Sequence, residues 1–162
     1  MIKINEIYLS VQGESTHTGL PCIFIRLTGC NLRCSWCDTA YAFHEGKNMN
    51  IDEILQKVEN FGIHLVEITG GEPLMQDNIY TLMRRLIESG YKVMLETGGS
   101  ISLERVPKDV IKIMDLKCPG SGEQEKNNLD NLKLLAPHDE VKFVILDTVS
   151  YTHLTLPTNR EV

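Results

Sequence analysis

Residues 22–37 read CIFIRLTGCNLRCSWC, an apolar segment that runs directly into three closely spaced cysteines. The alternation over residues 22–28 predicts a strand, and the loop that follows carries Cys30, Cys34 and Cys37. A structural zinc site normally has four protein ligands, whereas an iron-sulfur cluster can be held by three cysteines that leave one iron open. The CxxxCxxC spacing therefore indicates an iron-sulfur cluster, or a zinc site if a further cysteine or a histidine completes it.

The composition is typical of a single globular domain that acts on a small molecule. The chain has 162 residues, of which 42% are hydrophobic and 23% are charged, so it can bury one core. A net charge of -6 without a basic stripe argues against a nucleic-acid partner. The N-terminal segment resembles neither a signal peptide nor a membrane span, which predicts a cytoplasmic protein with no membrane partner. There the five cysteines are expected to bind metal or stay reduced.

Strand-like and helix-like segments alternate along the chain. One predicted helix begins after Asn50, a second carries apolar residues from Ile79 to Ile87 and stops at Gly90, and a short third helix covers residues 129–135. Strands are predicted at residues 2–11, 22–28, 65–68, 93–95, 111–116 and 141–146. This alternation predicts an α/β fold with a parallel sheet and right-handed crossovers, as in a whole or partial (β/α) barrel.

The predicted barrel is incomplete. A closed eight-unit barrel needs about 250 residues, and residues 149–162 are Thr-rich without periodicity. We therefore expect residues 1–148 to form a core domain that lacks the last strands of the barrel. Residues 149–162 are expected to be a foreign, disordered tail that follows a truncation near Thr148.

Polar or glycine-rich segments follow several predicted strands. Residues 70–73 read GGEP, residues 96–99 read ETGG, and Asp115 and Lys117 end a further strand. Because ligands of parallel α/β proteins bind outside the carboxyl ends of the strands, we expect these residues to share one site with the cysteine loop.

The cysteine loop, with Trp36 before its last cysteine, and the GGEP segment together resemble the radical S-adenosylmethionine (SAM) superfamily. The resemblance implies a [4Fe-4S] cluster on the three cysteines, with SAM bound to the open iron. Gly71 and Glu72 would contact the methionyl amino group of SAM.

Further segments resemble the 7-carboxy-7-deazaguanine synthase family: VQGE at residues 11–14, Arg26, Asp38 with Thr39, and DLKCP at residues 115–119. The resemblance implies a carbon-nitrogen lyase that converts 6-carboxy-5,6,7,8-tetrahydropterin to 7-carboxy-7-deazaguanine with release of ammonia, in queuosine and 7-deazapurine biosynthesis. It implies a Mg²⁺ ion on Thr39, with Asp38 as a second candidate ligand. Its substrate-binding residues would be Val11, Gln12, Gly13, Glu14, Arg26 and Thr69. Its SAM-binding residues would be Gly71, Glu72, Glu96, Asp115, Leu116 and Lys117.

No residue is assigned a catalytic role beyond holding cofactors and substrate. The resemblance also implies a homodimer and an electron donor such as flavodoxin. Two alternatives stay open: an activating enzyme for glycyl-radical enzymes, which would share the cluster loop, and a non-enzymatic zinc-binding module. The VQGE segment and Asp38 with Thr39 favour a pterin substrate over a glycyl-radical enzyme as the partner. Metal analysis would distinguish the zinc-binding module, because it would find zinc in place of iron and sulfide.

Overall fold

The computed structural model describes residues 1–145, which form an open seven-stranded sheet in the order β3-β1-β2-β4-β5-β6-β7. The strands are β1 Ile2–Val11, β2 Pro21–Leu27, β3 Lys47–Met49, β4 Leu65–Gly70, β5 Lys92–Thr97, β6 Ile111–Asp115 and β7 Glu140–Lys142. The helices are α1 Ile51–Glu59 and α2 Ile79–Glu88. Leu146, at the end of a predicted strand, and the predicted foreign tail at residues 149–162 lie outside the described residues.

The sheet is parallel from β2 through β4, β5 and β6 to β7, but β1 runs antiparallel to both of its neighbours, β2 and β3. The prediction of a wholly parallel sheet is therefore wrong for its N-terminal part. Residues 12–20 are too few for the crossover that parallel strands require, so they close a hairpin instead. The hairpin is held by hydrogen bonds from the Gln12 amide to Leu20 O and from the Gly19 amide to Gln12 O, both 2.8 Å long.

The partial (β/α) barrel is confirmed: the edge strands β3 and β7 do not pair with each other within residues 1–145. α1 begins at the predicted cap, where Asn50 and Glu53 form a reciprocal capping box. α2 ends before Gly90, whose φ of +85° continues the chain in the left-handed region. The predicted helix at residues 129–135 is instead a 3₁₀ helix, Leu129–Leu134.

The two faces of the sheet have different cores. The outer face and the two helices form the large apolar cluster, which includes Ile25, Ile68, Leu82 and Leu86. The inner face carries a smaller apolar cluster: Cys22, Phe24, Leu65, Met94, Ile111 and Ile113. That smaller cluster leaves room for polar residues on the inner face towards the carboxyl ends of the strands.

Within residues 1–145, no helix is long and apolar enough to cross a membrane.

Candidate functional site

A cavity of about 580 Å³ opens on the inner face at the carboxyl ends of the parallel strands. All three cysteines of the loop line it, together with residues from the β1–β2 hairpin and from the ends of β2, β4, β5, β6 and β7. The sequence-predicted residues that line it are Gln12, Gly13, Glu14, Arg26, Cys30, Cys34, Cys37, Asp38, Thr39, Thr69, Gly71, Glu96, Asp115 and Lys117. The structure therefore brings most of the predicted site residues to one place.

The cysteine loop presents three half-buried thiols to the cavity, and none of them is in a disulfide. The Leu32 amide lies 3.4 Å from Cys30 Sγ and donates a hydrogen bond to it. Burial raises the pKa values of Cys30 and Cys34, and the neighbouring thiols add to the effect. A bound cation such as iron would favour the ionised form of these two thiols.

The same loop is clamped by residues far along the chain. The Ser35 amide donates to Ser121 O at 3.0 Å, and Ser35 Oγ donates to Gly120 O at 2.8 Å. The Arg33 amide donates to Glu123 Oε1 at 2.7 Å. The cysteines thus lie in a loop whose path is fixed by tertiary contacts with residues 120–123.

Gly70 and Gly71 bring the end of β4 against the start of the cysteine loop. A Cβ on Gly71 would lie 2.1 Å from Gly29 O, so any larger residue would push the two segments apart. The contact is completed by the Glu72 amide, which donates to Gly29 O at 2.8 Å. Gly71 is therefore required by this close approach, and a Cβ on Gly70 would likewise lie 2.4 Å from Leu27 O of β2.

Glu72 has its carboxylate inside the protein rather than in the cavity. It is fully buried and accepts hydrogen bonds from the Thr97 hydroxyl and from the amides of Gly98 and Leu74, at 2.8 to 3.0 Å. Burial raises the pKa of Glu72, while these donors act in the opposite direction. Its carboxylate joins the end of β4 to the end of β5, and any contact with SAM remains a prediction.

Asp115 and Lys117 form an ion pair at the end of β6, with 2.5 Å between Oδ2 and Nζ. The other oxygen, Asp115 Oδ1, is buried and has no hydrogen-bond partner within residues 1–145. Leu116, between Asp115 and Lys117 in the sequence, does not line the cavity and packs against the outer apolar cluster instead. The orphaned carboxylate oxygen is suited to a hydroxyl or amino group of a ligand.

Arg26 is fixed on the inner face by two partners from β1. Its Nε lies 2.8 Å from Glu6 Oε1, and its Nη2 donates to the Tyr8 hydroxyl at 2.9 Å. Thr69 on the adjacent strand donates to Glu96 Oε2 at 2.8 Å. Val11, at the end of β1, is 59% exposed and does not line the cavity.

Asp38 and Thr39 follow the last cysteine and place a carboxylate and a hydroxyl group at the cavity. The Thr39 hydroxyl donates to Asp38 Oδ1 at 2.6 Å, and both residues line the cavity. Hydroxyl and carboxylate oxygens are ligands that Mg²⁺ accepts, since it binds hard oxygen donors.

Sequence reasoning missed Glu67 and Lys142 as lining residues. Lys142 Nζ ion-pairs with Glu96 and, at 2.6 Å, with Glu14, so it joins β7 to β5 and to the β1–β2 hairpin. Burial alone would raise the pKa of Glu96, but Lys142 lowers it below the ordinary value. Glu67 is 4% exposed, accepts a hydrogen bond from Gln12 Nε2, and has its pKa raised by burial to about 7. In the sequence, Glu67 could have been noticed as the one carboxylate in the otherwise apolar segment LVEI, residues 65–68.

Comparisons with known proteins agree with this arrangement. A sequence model of the radical SAM superfamily matches residues 24–117. The chain is 55% identical over 152 residues to the 7-carboxy-7-deazaguanine synthase of Koribacter versatilis, covering 93% of this chain and 67% of the relative. It is 43% identical over 167 residues to the synthase of the same name from Methanospirillum hungatei, covering 99% of this chain and 70% of the relative. The chain thus spans about two thirds of the length of these relatives.

Two solved structures share the fold. Escherichia coli QueE is 24% identical with a TM-score of 0.69, and the match covers 98% of this chain and 91% of QueE. Streptococcus suis SuiB, solved with its precursor peptide SuiA, is 19% identical with a TM-score of 0.57, covering 79% of this chain and 34% of SuiB.

Proposed function

Because the chain belongs to the 7-carboxy-7-deazaguanine synthase family of the radical SAM superfamily, we propose that its cavity converts 6-carboxy-5,6,7,8-tetrahydropterin to 7-carboxy-7-deazaguanine with release of ammonia. This is a carbon-nitrogen lyase reaction of queuosine and 7-deazapurine biosynthesis. The observation that carries the proposal is that the cysteine loop and all the predicted substrate residues except Val11 line one cavity. Family membership also favours this function over the glycyl-radical activating enzyme and the zinc-binding module.

The residues present fit a [4Fe-4S] cluster and SAM, the cofactors of the superfamily. Cys30, Cys34 and Cys37 would hold the cluster, and three thiolates leave one iron open for SAM. Asp115 Oδ1 offers an unused acceptor. At Gly98, a Cβ would lie 2.9 Å from Leu32 Cδ1, so the backbone there passes close to the cysteine loop. When bound, the two cofactors together supply a carbon-centred radical, and the protein positions it and excludes water.

The inner-face residues would orient the pterin. Arg26 offers a planar fork of donors for the substrate carboxylate, and its two partners on β1 hold that fork in place. Gln12, which donates to Glu67, and Thr69 line the same cavity and would be polar contacts for the ring system.

We further propose a Mg²⁺ ion on Thr39, with Asp38 as a neighbouring ligand, supported by their hydrogen-bonded oxygens at the cavity rim. Thr39→Ala should weaken the dependence of turnover on Mg²⁺ while the visible absorption of the cluster stays unchanged. Thr18→Ala, on an exposed part of the hairpin, is the control. An unchanged Mg²⁺ response in Thr39→Ala would exclude this ligand.

The test of the function is anaerobic reconstitution with iron and sulfide, followed by incubation with SAM, dithionite, Mg²⁺ and the pterin. We expect 7-carboxy-7-deazaguanine and ammonia in equal amounts by mass spectrometry and an ammonia assay. A reconstituted cluster that cleaves SAM without forming either product would overturn the assignment of substrate. Zinc in place of iron and sulfide would overturn the assignment of class.

The remaining proposals concern partners. Leu9, Val11 and Leu20 are exposed on the β1–β2 hairpin, and this apolar surface supports a homodimer, which sedimentation can test. We also propose a cytoplasmic location and an external electron donor such as flavodoxin, because the cluster must receive an electron to cleave SAM. Replacing dithionite by reduced flavodoxin tests the donor.

A further inference from the structure

Glu67 lies on the inner face of the sheet, among apolar residues of its own strand. It lies on β4 opposite Phe24 of β2, in a strand whose other residues are apolar up to Thr69. The residue lines the cavity and is 4% exposed. Burying a carboxylate costs free energy unless something compensates, so its presence in this position points to a ligand.

The groups that face Glu67 do not neutralise it. Glu14 from the hairpin and Glu96 from β5 repel a negative charge on Glu67, whereas Lys142 from β7 attracts it. The buried Cys22 thiol of β2 is uncharged. Lys142 makes its ion pairs with Glu14 and Glu96 instead. Among the glutamates that line the cavity within residues 1–145, Glu67 is therefore the one with no ion pair.

The protein partner of Glu67 is Gln12, which donates its amide N–H to Glu67 Oε2. A carboxylate has about four acceptor positions on its two oxygens, so this bond leaves capacity for further donors. Gln12 itself is held by the hairpin, where its own Oε1 accepts from the Glu14 amide at 3.1 Å. The carboxylate is thus fixed in orientation and still able to accept from a ligand.

The pterin offers the complementary group. The pyrimidine edge of a pterin carries a ring N–H beside an exocyclic amino group, and these two parallel donors match the two oxygens of a carboxylate. Arg26 would hold the carboxylate at the other end of the substrate. We propose that Glu67 binds the pyrimidine N–H edge of the pterin and so determines which heterocycles this site accepts, an inference that rests on the proposed function.

The experiment compares wild type with Glu67→Gln and Glu67→Asp, each as the full chain, reconstituted anaerobically and with SAM bound. The matched control is Glu88→Gln, which lies on the exposed end of α2. Pterin affinity is measured by calorimetry, and kcat and KM by product formation. We expect Glu67→Gln to raise Kd and KM at pH 8 by tenfold or more with a smaller change in kcat. Glu67→Asp should recover part of the affinity, and Glu88→Gln should match wild type.

A pterin analogue that lacks the exocyclic amino group tests the contact itself. Wild type should bind it at least tenfold more weakly than the pterin, whereas Glu67→Gln should bind the two about equally. Wild-type affinity for the pterin should also increase from pH 6 to pH 8 as Glu67 ionises, and that of Glu67→Gln should stay flat. Melting temperature and cluster absorption confirm that the variant is folded.

Equal losses for the analogue in wild type and Glu67→Gln would overturn the inference while leaving the proposed function in place. An unchanged Kd for the pterin in Glu67→Gln would do the same. If wild type neither binds nor converts the pterin, the proposed function fails and the inference fails with it.

Discussion

The two faces of the sheet are made by the same strands and have opposite chemistry. On β4, Val66 and Ile68 are buried in the outer cluster beneath the helices, whereas Glu67 and Thr69 point into the cavity. Alternation along a strand separates these roles by a single residue. The outer face therefore supplies most of the stabilising apolar contact, and the inner face carries buried polar groups that cost stability and serve ligands.

The largest expected effect distinguishes Cys34 on the cysteine loop from Cys22 on the inner face of the sheet. Cys34→Ala leaves two thiols on the loop, so we expect complete loss of the visible absorption of the cluster after reconstitution. Cys22→Ala, in the inner apolar cluster, should keep that absorption and lose about 1 kcal/mol of stability. Equal loss of absorption in both variants would show that the ligand assignment is wrong.

Ile68→Ala tests the outer face. Ile68 is fully buried, and truncating such a side chain typically costs 2–5 kcal/mol, roughly, because it leaves a cavity. Urea denaturation should show this loss, while turnover per folded molecule stays near that of wild type. The comparison would break down if Thr69→Ala, one residue along and facing the cavity, destabilised the protein just as much.

Glu67→Gln tests the cost of the inner face. The pKa of Glu67 is raised from 4.5 to about 7, so between those values the folded protein holds a proton that the unfolded chain has lost. The stability of wild type should therefore fall as the pH rises through this range, by roughly 3 kcal/mol. Glu67→Gln removes this dependence, so its advantage over wild type should be largest above pH 7 and vanish towards pH 4.5 in denaturation measured across pH. An advantage that is constant with pH would contradict the assignment.

Arg26→Ala should raise the KM for the pterin by roughly 10- to 100-fold, because a charge-assisted hydrogen bond contributes about 1.5–3 kcal/mol. Arg85 on α2 is its counterpart on the outer side, in an exposed ion pair with Asp52 of 3.0 Å, and Arg85→Ala should leave KM unchanged. Steady-state kinetics measures both. If a substrate analogue without the carboxylate responded equally to Arg26→Ala, Arg26 would not bind that group.

The smallest effect is expected at the start of α1. Asn50→Ala removes the capping box with Glu53 and should cost about 1 kcal/mol of stability. Pterin affinity should not change, since α1 packs on the outer face. Thermal melting and calorimetry check the two halves of this prediction, and weaker pterin binding would mean that the two faces are coupled.

Much of this fold could be predicted because its signals are local. Apolar spacing and the Asn50 cap predict α1. The antiparallel direction of β1 was missed although the short link at residues 12–20 contained the information, since alternation reports a strand but not its direction. β3 was missed because three residues give no periodic pattern.

The candidate site was predictable where a motif carried it and not where the surroundings decide the chemistry. Cys30, Cys34 and Cys37 are recognisable from their spacing alone. Lys142 joins Glu14 and Glu96 through contacts that span 128 and 46 residues, and no local pattern reports such pairs. Glu67 differs from Glu72 only in what surrounds it: Glu72 is satisfied by backbone and hydroxyl donors, and Glu67 faces the cavity.

The clamp on the cysteine loop has a consequence for the order of events during protein synthesis. Ser35 is held by Gly120, which is 85 residues later in the chain, so the loop leaves the ribosome long before its anchor is made. The nascent thiols are therefore unsecured until most of the sheet has been translated. We therefore expect iron and sulfide to bind after most of the domain has folded, which would make cluster insertion a late step of maturation.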